Sequence, residues 1–291
     1  MNSGIMKSSL YNFFLLTKPR IMVLVLLTGA AGLSLEGSLL ARPGYCALVL
    51  LALYLVSGSA NSLNQYFERD IDALMSRTSR KRPLPTGRLS PRQALVFALV
   101  IGVAGVAIFA LRFNLLSAAL ALFAVLFYGI YYTVWLKPRT HLNIVIGGAA
   151  GAMAPVIAWA AASGTLSLVP LILFLIIFFW SPPHFWALAI YLKEDYRKAR
   201  LPMLPLVKGE GATRDQIFYY TLILFAVSLS LIAVRPGLLY AAVSLGLGGL
   251  FIWKAGVLRK TGLPGLEKGL FSYSIIYLCA LFTALIIEGL V

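Results

Sequence analysis

Long apolar runs alternate with short polar ones along this chain, and the apolar runs have the lengths of membrane crossings. Runs approaching the roughly 20 residues that span a bilayer as a helix lie near Ile21 to Leu35, Tyr45 to Tyr66, Ala94 to Leu111, Leu115 to Leu136 and Asn143 to Ala162. Others lie near Leu168 to Tyr191, Ile217 to Val234, Leu238 to Trp253 and Leu270 to Ile287. The pattern predicts an all-α polytopic membrane protein, a bundle of nine transmembrane helices forming one membrane-embedded domain over residues 1–291. Composition agrees: 60% of the residues are hydrophobic and 12% charged, and the mean hydropathy is +0.88. Soluble domains are not built this way.

Where the polar runs put their charge sets the orientation. The net charge is +15, and with a cytoplasmic N-terminus 22 of the 25 Lys and Arg residues fall on the cytoplasmic side. Only Arg42, Arg112 and Arg235 fall opposite, so the positive-inside rule predicts this topology, with the C-terminus across the membrane. Insertion accounts for the basic excess, and no nucleic-acid partner is called for. Cys46 and Cys279 lack Cys-x-x-Cys spacing, which argues against a disulfide framework or a thiolate metal site. The first 20 residues carry Lys7, Lys18 and Arg20 without a cleavage site or a transit-peptide pattern. The first span is therefore expected to persist, in a bacterial cytoplasmic (inner) membrane.

Candidate chemistry sits where the second apolar run ends. Asn64, Glu68 and Asp72 recur at steps of four, which keeps them on one helical face. The cationic loop that follows carries Arg77, Arg80, Lys81 and Arg82 ahead of Pro83 and Pro85. Magnesium takes carboxylate oxygens and fills its remaining positions with water and phosphate oxygens, while arginine forks hold phosphate. A hard-oxygen cluster beside arginines therefore points to a magnesium-bound diphosphate. The loop, about residues 67–92, is long for a compact bundle, as functional loops often are. Asp70 lies off the shared face and is expected to neutralise Arg69 or the loop.

Span six runs toward the same side as span two, since both are even-numbered. Its inner end supplies Lys193, Glu194, Asp195 and Arg197, opening a second functional loop over about residues 192–215. Asp195 thus offers a second carboxylate site on the face of the first. His184 lies within this span, two residues after Pro182, in what the prolines predict to be a broken helix. Function as a ligand or acid-base group and burial against a backbone carbonyl are both open for it.

Elsewhere bland readings compete. Leu10 to Leu16 is expected to lie along the cytoplasmic interface, and Arg20 to reach lipid headgroups rather than an anion. Tyr128, Tyr131, Tyr132 and Trp135 read as an interfacial aromatic belt. Lys137 and Arg139 either anchor the topology or add to an anion site. Gly147, Gly148 and Gly151 suit close helix packing. Spans seven to nine carry little that does chemistry and read as a cavity wall.

These motifs together resemble the UbiA superfamily of intramembrane prenyltransferases, and most closely its haem-farnesylating branch. The resemblance rests on Asn64-x-x-x-Glu68-x-x-x-Asp72, the Arg77 to Gly87 loop, Asn143 to Ala152, Pro182-Pro183-His184-Phe185-Trp186 and Pro202 to Pro205. It implies farnesyl diphosphate and haem B as substrates, Mg2+ as cofactor, surrounding membrane lipid, and haem-pathway or terminal-oxidase proteins as partners. It implies Asn64, Glu68, Asp72 and Asp195 as catalytic metal ligands, Arg77, Arg80, Lys81 and Arg82 on the diphosphate, and His184 toward haem. The superfamily's second site reads Asp-x-x-x-Asp, whereas Ala199 stands four residues after Asp195 here. Glu194 in the missing role, or Lys193 and Arg197 on the phosphate, are the alternatives. Rival activities are prenylation of a benzoate or quinone precursor, a membrane transporter, and an oxidase assembly partner. Against a transporter, the acidic residues cluster at helix ends and only His184 lies deeper; an assembly partner gives no reason for carboxylates beside an arginine loop.

Overall fold

The computed structural model describes residues 10–291, so Lys7 and the rest of residues 1–9 lie outside the described residues. Among the described residues, nine helices are long and apolar enough to cross a membrane. Span one is Pro19–Glu36, span two Pro43–Phe67, span three Pro91–Arg112, span four Leu115–Leu136 and span five Asn143–Ser163. Span six is Leu168–Tyr191, span seven Gly209–Val234, span eight Leu238–Thr261 and span nine Leu266–Leu290. Spans seven and eight run about two turns further, at the start of seven and the end of eight, than hydropathy indicates. Their charged ends stay helical because they face each other there, with Arg259 Nε on Asp215 Oδ1 at 2.7 Å.

Spans one to five share one buried core, containing Leu33, Leu53, Phe109 and Ile157. A larger core, containing Ile176, Trp186, Tyr240 and Phe282, joins spans six to nine to the inner faces of spans one and five. Spans one and five meet closely because Gly32 has no side chain: a Cβ there would stand 2.6 Å from the Pro155 carbonyl oxygen. In a bilayer such small-residue contacts provide the packing that water-driven burial provides elsewhere.

Two elements depart from the simple expectation. Span six is continuous through Pro182 and Pro183 rather than broken. Prolines at these positions leave the carbonyls of Phe178 and Phe179 without their usual N–H donors, yet neighbouring spans hold the helix in line, with Gly148 allowing span five against Ser181. Span four changes at Phe127 into a ten-residue π-helical stretch, Phe127–Leu136. Its widened turn shows in Lys137 N–H donating to Tyr132 O at 2.8 Å and Thr133 Oγ1 donating to Tyr128 O at 2.7 Å. Such stretches are rare and gather at functional sites.

That stretch also divides the supposed aromatic belt. Tyr131 and Trp135 are exposed, and their rings stack at 5.2 Å, as a belt requires. Tyr128 and Tyr132 do not belong to it. They stack on each other at 5.3 Å on the inward side, where the Tyr132 ring lies in the space left by Gly147.

Candidate active site: a buried carboxylate cluster at one end of the bundle

Span two ends at Phe67, and a short helix, Arg69–Leu74, carries the chain on. The step-of-four relation survives the junction because Glu68 N–H donates to Asn64 O at 3.0 Å and Asp72 N–H to Glu68 O at 2.7 Å. Asn64, Glu68 and Asp72 are 1%, 4% and 2% exposed, so this is not a solvated helix end. Asp70 points to solvent, 3.9 Å from Arg69.

The following loop is built around Thr78. Its hydroxyl donates to Asp72 O at 2.7 Å, and its carbonyl accepts the N–H groups of Lys81 and Arg82 at 3.0 Å. Leu84 and Leu89 pin the loop against Leu16 and Ala94, and Gly87 closes it with φ at +69°, a backbone region that costs glycine little. The outcome is a guanidinium placed over the carboxylates: Arg82 pairs with Asp72 and stands 3.9 Å from Glu68. Arg80 and Lys81 are exposed and form no ion pair among the described residues.

Two further cations reach this cluster from distant parts of the chain. Lys137, just past the π-helical stretch, places Nζ 2.5 Å from Glu68 Oε1. Lys18, the residue before span one, donates from Nζ to Asn64 Oδ1 at 2.7 Å. Its backbone sits at φ +55°, a left-handed conformation costing of order 1 kcal/mol for a residue with a side chain. Asn61 and Gln65 hold the preceding segment in place by donating to the carbonyls of Thr17 and Leu16. Asn64 Nδ2 donates in turn to Thr133 Oγ1 at 3.1 Å, which ties span two to span four. Arg20 is exposed.

The charges act unevenly on the acids. Burial opposes ionisation of Glu68, but Lys137, Lys18 and Arg82 outweigh it and hold its carboxyl below the usual range. Burial prevails at Asp72, aided by the nearby Glu68 and only partly countered by Arg82, and raises it. Burial and the neighbouring Arg82 lower the Lys18 ammonium well below an ordinary lysine.

The second cluster meets the first through the same loop. Asp195 Oδ2 accepts the Arg77 N–H at 3.1 Å, one residue from the Thr78 that binds Asp72. Burial works against the Asp195 carboxylate, but hydrogen bonds from Ser76 and from the Arg77 N–H outweigh it, so it stays below the usual range. A cavity of about 560 Å³ opens here, lined by Ser76, Arg77, Lys193, Asp195 and Glu210. Lys193 is held by Glu210 at 2.7 Å, and Arg197 by Glu194 at 2.5 Å on the exposed side. Glu194 lines the same cavity, with its carboxylate on Arg197. Glu210 belongs to span seven, so that span is more than a wall.

His184 lies deeper, 7% exposed, between the rings of Trp180 at 4.2 Å and Phe271 at 4.5 Å. Its Nδ1 is 2.7 Å from Ser274 Oγ. Ser274 Oγ itself donates to Phe271 O at 2.7 Å, so it accepts from His184, and the proton of the neutral ring is on Nδ1. The Nε2 lone pair is left as the basic one. Trp180 Nε1 donates to Ser274 O at 2.8 Å, fixing the other side of this arrangement.

Asn64, Glu68 and Asp72 converge as an amide oxygen and two carboxylates, hard donors few enough to leave a magnesium ion positions for water and phosphate oxygens. The donor types suit that metal, but among the described residues no three carboxylates, histidines or cysteines gather as a ready metal site, and Asp195 reaches this cluster only through the Arg77–Thr78 backbone. Since Arg82 neutralises two buried acids, Arg82→Met is expected to lower the unfolding free energy by about 3 kcal/mol. The exposed Arg80→Met is expected to change it by less than about 0.5 kcal/mol. Thermal or denaturant melts in detergent measure both.

Comparison with known proteins places this arrangement. The UbiA prenyltransferase family pattern matches residues 25–284. The chain is 46% identical to a protein named Protoheme IX farnesyltransferase from Picosynechococcus sp., over 96% of this chain and 89% of that one. It is 45% identical to one of the same name from Erythrobacter litoralis, over 95% of this chain and 92% of that one. In fold it resembles a structure described for digeranylgeranylglyceryl phosphate synthase, with TM-score 0.80, 18% identity and coverage of 97% of this chain and 99% of the other. A UbiA homolog from Archaeoglobus fulgidus bound to DMAPP and Mg2+ aligns with TM-score 0.70 and 17% identity, over 94% of this chain and 99% of that one. With nine apolar spans, a family pattern across most of its length and relatives matched nearly end to end, this multi-pass membrane chain belongs to the UbiA prenyltransferase family.

Proposed function

We propose that this chain transfers the farnesyl group of farnesyl diphosphate to a vinyl group of haem B, with addition of water, to give haem O. The observation that carries the reading is the buried set Asn64, Glu68 and Asp72 under Arg82 and Lys137, a site with donors for both a hard metal ion and a diphosphate. The names of relatives at 46% and 45% identity supply the acceptor.

Asn64, Glu68 and Asp72, with Asp195 from the second cluster, would hold Mg2+, which would neutralise charge on the diphosphate. Arg82 and Lys137 donate to the phosphate oxygens as the bond from farnesyl C1 to oxygen breaks and negative charge moves onto the leaving group. Arg77 closes the cavity side of the diphosphate. Lys193 and Arg197, which meet Glu210 and Glu194, add their positive charge to the phosphate from the second cluster. The electron pair of the haem vinyl group forms the new carbon-carbon bond to C1. The cation left beside the porphyrin ring takes the oxygen of a water, whose proton leaves to solvent. Tyr128 and Tyr132 line the inward side next to the cluster and help keep other water from the farnesyl cation. His184 presents Nε2 to the haem.

The orientation follows from the 22 of 25 basic residues that share one side: the N-terminus is cytoplasmic and the C-terminus is opposite. The test is to incubate the purified chain in lipid with haem B, farnesyl diphosphate and magnesium, and to weigh the extracted haem. A gain of one farnesyl group and one hydroxyl is expected. Unchanged haem, with diphosphate released only when a benzoate or quinone precursor is supplied, would move the chain to another branch of the family.

A further inference from the structure

Span four meets the carboxylate cluster in its π-helical form. Over Phe127–Leu136 the hydrogen bonds close across five residues, as from Lys137 N–H to Tyr132 O at 2.8 Å, so each residue turns less than the roughly 100° of an α-helix. Across the whole stretch that lag grows to a large fraction of a turn, and it decides which side chains face span two. Thr133 and Lys137 are the ones that do: Thr133 Oγ1 accepts from Asn64 Nδ2 at 3.1 Å, and Lys137 Nζ stands 2.5 Å from Glu68 Oε1. An α-helix continued from Leu126 would carry both off that face. Long π-helical stretches are rare because the α-helix is the better-bonded alternative. Contacts from other spans must therefore hold this one.

The seat for that hold is on span five. Gly147 is buried, and the Tyr132 ring fills the space its missing side chain leaves: a Cβ there would overlap Cδ2 and Cε2 of the ring. Tyr132 is backed on its other side by Tyr128, stacked at 5.3 Å, so the ring has little room to give way. The neighbouring glycines face elsewhere. A Cβ on Gly148 would stand 3.0 Å from Ser181 Cβ of span six, and one on Gly151 would meet open space. We propose that Gly147 is a positioning residue of the diphosphate site: by seating the Tyr132 ring it holds span four in the π-helical register, and that register puts Lys137 on Glu68 and Thr133 on Asn64. Gly147 acts through Tyr132 and not on substrate. Close helix packing accounts for Gly148 but gives no cause for the register of span four, which the Gly147 seat supplies. The inference rests on the reading of the cluster as the diphosphate site.

Pulsed electron paramagnetic resonance on the full chain in lipid nanodiscs reads the register directly. Nitroxides are attached at Val134→Cys and Leu245→Cys, exposed positions of spans four and eight, after Cys46 and Cys279, the two cysteines of the chain, are replaced with alanine. Gly147→Ala is expected to move the distance between them by about 5 Å or more, since a change of register swings Val134 around a helix roughly 10 Å across. Tyr132→Ala empties the seat instead of overfilling it, introduces no clash, and is expected to move the distance too. Gly148→Ala, Gly151→Ala and Tyr132→Phe leave the ring and its seat in place and are expected to keep the native distance. In unlabelled protein, Mn2+ in place of Mg2+, taken up together with inorganic diphosphate, is expected to bind at least about tenfold more weakly to Gly147→Ala than to the native chain, with haem B affinity unchanged. A native distance in both Gly147→Ala and Tyr132→Ala overturns the proposal. So does an equal shift in Gly148→Ala, which would make the register a product of general packing. Failure of the underlying reading has a different signature: the distance moves while Mn2+ with diphosphate binds as in the native chain, which removes the site assignment and the positioning role with it.

Discussion

Asp72→Asn is expected to lower the rate of prenyl transfer by a factor on the order of 10² to 10³, the usual loss when one charged contact to a developing transition state is removed. The side chain keeps its shape, so the effect isolates the charge. Asp72 is 2% exposed and is bound from both ends, by Arg82 at its carboxylate and by the Thr78 hydroxyl at its carbonyl. With a neutral amide there, the proposed metal site loses a carboxylate and Arg82 loses its partner, while the backbone contact to Thr78 is retained. Two residues away, Asp70 provides the control: its side chain is 87% exposed and meets only Arg69. Asp70→Asn is expected to leave the rate within about twofold of the native chain. Steady-state rates with varied farnesyl diphosphate, together with haem affinity from a spectral titration, check both. The haem affinity of Asp72→Asn should be that of the native chain. Equal losses in the two variants would remove the buried cluster from the reaction.

The contrast between these aspartates marks what can be read from sequence. Periodicity of four puts Asn64, Glu68 and Asp72 on one face and leaves Asp70 off it, and the face holds even though the helix stops at Phe67 because the hydrogen bonds bridge the junction. Span number is equally legible, since each crossing must satisfy its own backbone and be apolar over its length. Partners contributed by other elements are not. Lys18 and Lys137 lie 46 and 69 residues from the side chains they touch, and nothing local distinguishes them from lysines that only anchor topology. The π-helical stretch of span four has no compositional mark, so four aromatics read as one belt although its widened turn sends Tyr128 and Tyr132 inward. The left-handed backbone of Lys18 is likewise a product of tertiary contacts, with Pro19 the only local hint. The glutamates that Lys193 and Arg197 meet, Glu210 and Glu194, are likewise not visible to a reading of charge along the chain. The proline pair of span six reads as a break because local rules do not include the neighbours that keep the helix continuous.

At the other end of the site, His184→Phe is expected to weaken haem B binding by about tenfold or more, with binding of Mn2+ plus diphosphate unchanged. Phenylalanine fills the slot between Trp180 and Phe271 and preserves the stack, so the loss reports the ring nitrogen rather than a cavity. The prediction depends on the hydrogen-bond order around Ser274. Because the serine hydroxyl donates to Phe271 O, it accepts from Nδ1, and Nε2 is presented as the free base. Ser274→Ala removes that acceptor while leaving the imidazole, so the favoured tautomer is no longer enforced. Its effect on haem affinity is expected in the same direction and smaller, about threefold to tenfold. The absorption spectrum of bound haem separates ligation from packing, since an imidazole on the iron sets the position of the Soret band. A His184→Phe protein with native haem affinity and an unshifted band would make His184 a packing residue, joined to Ser274 only to satisfy a buried polar ring. A shifted band with weakened affinity, the shift partial in Ser274→Ala, assigns the haem end of the site to span six and its orientation to span nine. The two substrates would then be held by separate sets of residues, diphosphate under the loop after span two and haem beside the stack of Trp180, His184 and Phe271.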